Sequence, residues 1–161
     1  MNTPVNSKYR ILVVDHDLDV NTTVALMLEF DGHEVQTVDT GEEALARLAK
    51  SHFDLIITEY WLPRMKGNEL AALVKERWPD QPIIMATASN EEINSDDHPI
   101  SGVDCLLNKP FSMLQLREAM AWIFGRYTER RQSGSEPHEL HGGHLDEPHT
   151  TQSASSSKRG F

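Results

Sequence analysis

Four residues have the types and places to do chemistry together: Asp15, Glu59, Thr87 and Lys109. Each follows a short apolar run by a residue or two. Ile11-Leu12-Val13-Val14 precedes Asp15, and Leu55-Ile56-Ile57 precedes Glu59. Ile83 to Ala86 precedes Thr87, and Val103 to Leu107 precedes Lys109. Runs of this length read as strands buried on both faces, as in a parallel sheet. Open α/β sheets bind ligands beyond the carboxyl ends of their strands, near the point where strand order reverses. Two carboxylates, a hydroxyl and an ammonium converging there suit a hard divalent cation and a phosphoryl group. Carboxylates would hold the cation. The ammonium and hydroxyl would bind phosphoryl oxygens.

The intervening segments must position those strand ends. After Asp15-His16-Asp17, with Asp17 or Asp19 as the cap, Val20, Val24, Met27 and Leu28 recur at helical spacing until Gly32. His33 to Val38 alternates like a strand exposed on one side. Thr40-Gly-Glu-Glu43 is a capping-box pattern for a second helix, with Ala44, Leu45, Leu48 and Ala49 inward. Within the central segment FDLIITEYWLPRMKG, Pro63 cannot extend the strand, and Gly67 is read as a hinge before a third helix, Asn68 to Trp78. In that helix Leu70, Leu73, Val74 and Trp78 face inward. A short or irregular fourth helix is expected over 91–100. The last opens on the capping box Ser112-Met-Leu-Gln115 and buries Met113, Leu116, Met120, Ile123 and Phe124. Five strands alternating with five helices predict one doubly wound parallel sheet with a helix layer on each face.

Composition narrows the function. The chain carries a net charge of −10, and residues 126–161 hold five basic and five acidic side chains, so the excess lies in residues 1–125. An acidic domain repels phosphate backbones, which argues against nucleic acid as a partner. The single cysteine, Cys105, fits a reducing compartment. With no apolar run of membrane-spanning length and no signal-peptide pattern, a cytoplasmic protein is expected. Residues 1–7 are expected to be flexible. After Phe124 a Ser-, Gly- and His-rich tail, 126–161, is expected to be disordered, with no room for an output domain.

With these residues in place, the chain resembles a bacterial response-regulator receiver domain over residues 8–125. The resemblance rests on ILVVDHD, on DLIITEYWLPRMKG, on IIMATA and on LNKPF. It implies a flavodoxin-like fold with strand order 2-1-3-4-5 and a Mg2+-dependent switch phosphorylated by a histidine kinase at a strand-end aspartate. It further implies that Thr87 moves toward the phosphoryl group, that Lys109 pairs with it, and that the Lys109-Pro110 bond is cis. Asp15, Glu59 and Trp61 would form the metal set, with Asp15 and His16 as the acidic pair. Output would pass through a signalling partner or a homodimer, by way of the fourth helix, fifth strand and fifth helix.

Three residues depart from that pattern. The acceptor position is Glu59, whose extra methylene moves the carboxylate by roughly 1.5 Å. A misplacement of about 1 Å can cost on the order of 100-fold in rate. His16 stands where a metal-binding acid is expected, and a neutral imidazole suits magnesium poorly. Leu106 replaces the aromatic switch residue. Together these point to an atypical receiver held in one state by a Glu59–Lys109 or Glu59–Thr87 contact. The alternative is a conventional phospho-accepting regulator. An enzyme such as a phosphatase would need a rim nucleophile, and Cys105 lies inside a strand, so no enzymatic activity is expected.

Plainer readings stand beside these. Glu59 could be a solvated strand end, Asp15 and Lys109 a structural ion pair, and His16 an exposed helix-start residue. Trp61 and Trp122 read as packing or partner-facing residues. His138, His141, His144 and His149, in a Gly-containing tail, read as solvated linker rather than a closed ligand set.

Overall fold

The computed structural model describes residues 7–88 and 100–133. Five strands, β1 (Arg10–Val14), β2 (Glu34–Val38), β3 (Leu55–Thr58), β4 (Ile83–Thr87) and β5 (Cys105–Asn108), form one sheet in the order β2-β1-β3-β4-β5. Every pairing is parallel. Among the described residues four helices accompany it: α1 (Leu18–Phe30), α2 (Gly41–Leu48), α3 (Gly67–Arg77) and α4 (Met113–Ser133). The fifth expected helix falls almost wholly on residues outside those described.

Strand side chains alternate between two cores, as the period of two requires. Ile11, Val13, Leu55, Ile57, Ile84 and Ala86 pack with Val24 and Leu28 of α1 and Leu116, Met120 and Ile123 of α4. Leu12, Val14, Ile56 and Ile83 point the other way, onto Ala44 and Leu48 of α2 and Leu70, Ala71 and Val74 of α3. The uninterrupted apolar runs of β1, β3 and β4 are thus explained by burial on both faces.

The helix signals act locally as their chemistry dictates. Asp17 caps α1, accepting from the N–H groups of Asp19 and Val20. Beyond the other end, Gly32 takes a φ of 86°, where a side chain would be strained. Thr40 Oγ1 accepts from Glu43 N–H at 3.2 Å. Ser112 and Gln115 form the full reciprocal box ahead of α4.

Four details differ from the sequence reading. Leu73 is 42% exposed, whereas Ala71 is fully buried: Leu70 and Val74 stay inward, and the stripe of α3 widens on the Ala71 flank rather than the Leu73 flank. Ala49 of the α2 stripe is likewise exposed. Gly67 has no positive φ, so it is not a conformational hinge. It is required by close approach, because a Cβ there would sit 2.2 Å from the Glu59 carbonyl oxygen. Finally, the last helix does not stop near 125. Residues 126–133 continue it to Ser133, through Arg, Glu and Gln residues of good helix propensity and a Tyr127 that packs back on the domain.

Candidate functional site

The strand order puts the carboxyl ends of β1 and β3 side by side, and Glu59 N–H donates to Val14 O across that junction at 2.9 Å. Asp15 and Glu59 leave these ends and are both buried. Lys109 reaches them from the end of β5, where its N–H donates to Thr87 O at 3.0 Å and a cis Lys109-Pro110 bond follows.

The ammonium of Lys109 bridges the two carboxylates. It donates to Asp15 Oδ2 in a short contact and to Glu59 Oε2 at 2.7 Å. The remaining oxygens are also occupied. Asp15 Oδ1 accepts from Asp17 N–H at 2.9 Å. Glu59 Oε1 turns back on its own loop and accepts from Tyr60 N–H at 2.6 Å and Trp61 N–H at 3.3 Å. Burial disfavours the Lys109 ammonium, but the hydrogen bonds it donates to Asp15 and Glu59, with their charges, outweigh it and hold the group above its ordinary pKa.

Thr87, at 1% exposure, is the last residue of β4 and lies in register with Asn108, next to Lys109. His16 points outward: its side chain is 53% exposed and its Nδ1 lies 3.8 Å from Asp15 Oδ1. The Trp61 ring is on the surface, beneath the Lys66 ammonium at 4.7 Å. Leu106 is exposed on the edge strand, and Trp122 is exposed with the Arg126 guanidinium over its ring. The four tail histidines lie outside the described residues.

Whether these groups fit a magnesium ion follows from their contacts. Magnesium takes oxygen ligands in near-octahedral array. Here each carboxylate oxygen already accepts from a donor, the third position is an outward imidazole, and Trp61 meets Glu59 through its N–H. Among the described residues no cluster of three or more His, Cys, Asp or Glu side chains is placed to hold a metal. As arranged the donor set fits the ion poorly: Lys109 already neutralises both carboxylates, and the neighbouring His16 offers an imidazole in place of a hard oxygen ligand.

Two polar features escape the sequence reading, one at the rim and one away from it. Asn21, on α1, is 3% exposed, and its Nδ2 donates to Asp15 O at 2.5 Å and Val38 O at 3.1 Å, tying the ends of β1 and β2 together. Far from the rim, Lys75 Nζ donates to Gln81 O (2.5 Å), Asp104 Oδ2 (2.9 Å) and Tyr127 Oη (2.8 Å). Tyr127 in turn donates to Asp104 Oδ1 at 3.1 Å. An isolated asparagine at helical spacing carries no signal of burial. Nor do three polar residues so far apart in the chain announce that they meet.

The response regulator receiver domain profile matches residues 11–121. The response regulator MprA of Mycolicibacterium vanbaalenii is 31% identical over 119 residues, 74% of this chain and 52% of MprA. The alkaline phosphatase synthesis transcriptional regulatory protein PhoP of Bacillus subtilis is 32% identical over 117 residues, 73% of this chain and 49% of PhoP. Among solved structures, the chemotaxis response regulator CheY4 of Vibrio cholerae superposes with a TM-score of 0.66 at 28% identity, over 73% of this chain and 99% of that one. The response regulator TrrA of Thermotoga maritima, solved with Mg2+ and BeF, gives 0.65 at 29% identity over 73% and 99%.

The chain belongs to the response regulator receiver domain family, the receiver modules of two-component signalling. It spans about half the length of the curated relatives it matches. No helix among the described residues is long and apolar enough to cross a membrane.

Proposed function

We propose that this domain is an atypical receiver, held in one conformation by its own Lys109 and acting through protein–protein contacts rather than through conventional phosphotransfer. The observation that carries the reading is the double engagement of Glu59: one oxygen on the Lys109 ammonium, the other on the N–H groups of Tyr60 and Trp61. A carboxylate so held is a weakened nucleophile, because charge-assisted hydrogen bonds stabilise its negative charge and fix the direction in which its oxygens point. It also supplies, as a fixed anion, a partner for Lys109 that a phosphoryl group would otherwise provide.

Signals would then enter by contact with a histidine kinase or another signalling protein, and leave through a partner or a second copy of the chain. The acidic balance of residues 1–125 opposes direct nucleic-acid binding by this domain. Its relatives include proteins named as transcriptional regulators, so that inference is confined to the receiver.

Intact mass after incubation with a small-molecule phosphodonor and magnesium tests the proposal. The native chain should stay unmodified, while Glu59→Asp, which shortens the reach and frees the acceptor, should gain one phosphoryl group. Stoichiometric labelling of the native chain would favour the conventional phospho-accepting regulator instead.

A further inference from the structure

We infer that β5 is a strut connecting the Lys109 bridge at one pole of the sheet to the attachment of the C-terminal helical extension at the other. The two residues flanking this four-residue strand, Asp104 and Lys109, each end in a polar hub. At the rim, Lys109 joins Asp15 and Glu59. At the opposite pole, Asp104 joins Lys75 and Tyr127, and its Oδ2 also accepts from Ile83 N–H at 2.9 Å.

The hubs are five residues apart, about 16 Å along an extended strand, so they do not touch. What joins them is the strand itself. β5 is one of the two edge strands, paired only to β4, and of its four residues only Leu107 is buried. Backbone hydrogen bonds to β4 bracket it at both ends, Asp104 N–H to Ile83 O at 2.9 Å and Lys109 N–H to Thr87 O at 3.0 Å, so a displacement of β5 would carry both flanking side chains together.

The distal hub is a finished structure. All three donors of the Lys75 ammonium are used. Gly102, at a φ of 85°, lies against the Ala71 carbonyl, where a Cβ would come within 3.0 Å. Tyr127 is the element of α4 that this hub grips, and the residues after it, Thr128 to Ser133, are all exposed. The hydroxyl of Tyr127 therefore fixes the path of a helical segment with little packing of its own. State at Lys109 and order in 126–133 become linked quantities, and linkage is reciprocal.

The inference rests on the reading of Lys109 as the holding contact, but not on whether Glu59 accepts phosphate. Amide hydrogen exchange on the full chain tests it, with Lys109→Met, Tyr127→Phe and the double variant. Lys109→Met should lower protection in 126–133 by about tenfold more than in the rest of α4, and in the Tyr127→Phe background that excess should vanish. Should Lys109→Met fail to fold, Glu59→Gln, which removes one arm of the bridge, takes its place. Unchanged protection in 126–133, or effects of the two substitutions that simply add, would overturn the inference. Phosphodonor labelling of the native chain would defeat the phosphotransfer argument while leaving this coupling measurable.

Discussion

The Lys109 ammonium lies 2.7 Å from Glu59 Oε2 and also contacts Asp15, so one cation from β5 neutralises carboxylates delivered by β3 and β1. All three side chains are at least four-fifths removed from solvent. Taking charge out of water is costly unless it is paired, and removing one partner leaves the cost uncompensated.

Lys109→Met should therefore destabilise the fold by about 3–5 kcal/mol, the range for breaking a buried pair. Glu59→Gln leaves Asp15 with the ammonium and should cost about 1–3 kcal/mol, the penalty of one impaired buried hydrogen-bond group. Urea unfolding of the two variants beside the native chain gives the order.

Gly67→Ala places a methyl group where the Glu59 carbonyl stands, at 2.2 Å, and backbone cannot yield as a side chain tip can. Overpacking of this kind costs about 1–3 kcal/mol and would shift the Glu59 loop. Gly125→Ala, inside α4 with nothing within 4 Å of the added carbon, should instead stabilise by about 0.5–1 kcal/mol. Thermal midpoints moving in opposite directions would bear out both.

Below neutral pH the domain should weaken at His33. Burial holds its imidazole below the ordinary value of 6.5, against a smaller opposing pull from Asp31, and Nδ1 accepts from Tyr9 N–H at 3.4 Å. The unfolded chain then binds the proton first, so the stabilisation is present above pH 6.5 and is lost as pH falls through it. Urea midpoints at pH 7.5 and 5.5 should differ more for the native chain than for His33→Gln. At the alkaline end the sign reverses. Lys109, raised by its partners, contributes fully below its ordinary 10.5 and loses that contribution as pH rises through its folded value.

Asn21→Ala should loosen the rim without emptying it. The variant leaves two carbonyls, of Asp15 and Val38, without the amide that now joins them. The Val38 carbonyl keeps its bond from Asp15 N–H at 3.1 Å, so a loss of about 1–3 kcal/mol is expected chiefly from the Asp15 carbonyl. Amide exchange at Asp15 and Glu59 should quicken more than in the β4 core.

Much of this arrangement was legible beforehand, and the reason is physical. Strands buried on both faces leave apolar runs such as Ile11-Leu12-Val13-Val14, and the residue after each run must lie at the sheet's rim. That logic brings Asp15, Glu59, Thr87 and Lys109 to one edge from the sequence alone. Helix faces are less legible, since periodicity fixes a stripe only to within a residue and does not separate the Leu73 flank of α3 from the Ala71 flank. Least legible were contacts between distant polar residues. Tyr127 reads as the start of a polar tail until Lys75 and Asp104 arrive beside it, and Asn21 reads as solvated until β1 and β2 close over it.

The account stands on Lys109 occupying the carboxylates that a magnesium ion would need. Titrating the native chain with magnesium while following the Lys109 side-chain ammonium by nitrogen-15 NMR tests that directly. The account predicts a resonance that stays in place, and in slow exchange with water, through millimolar additions. A saturable shift of that resonance, with release of the ammonium to solvent, would contradict it.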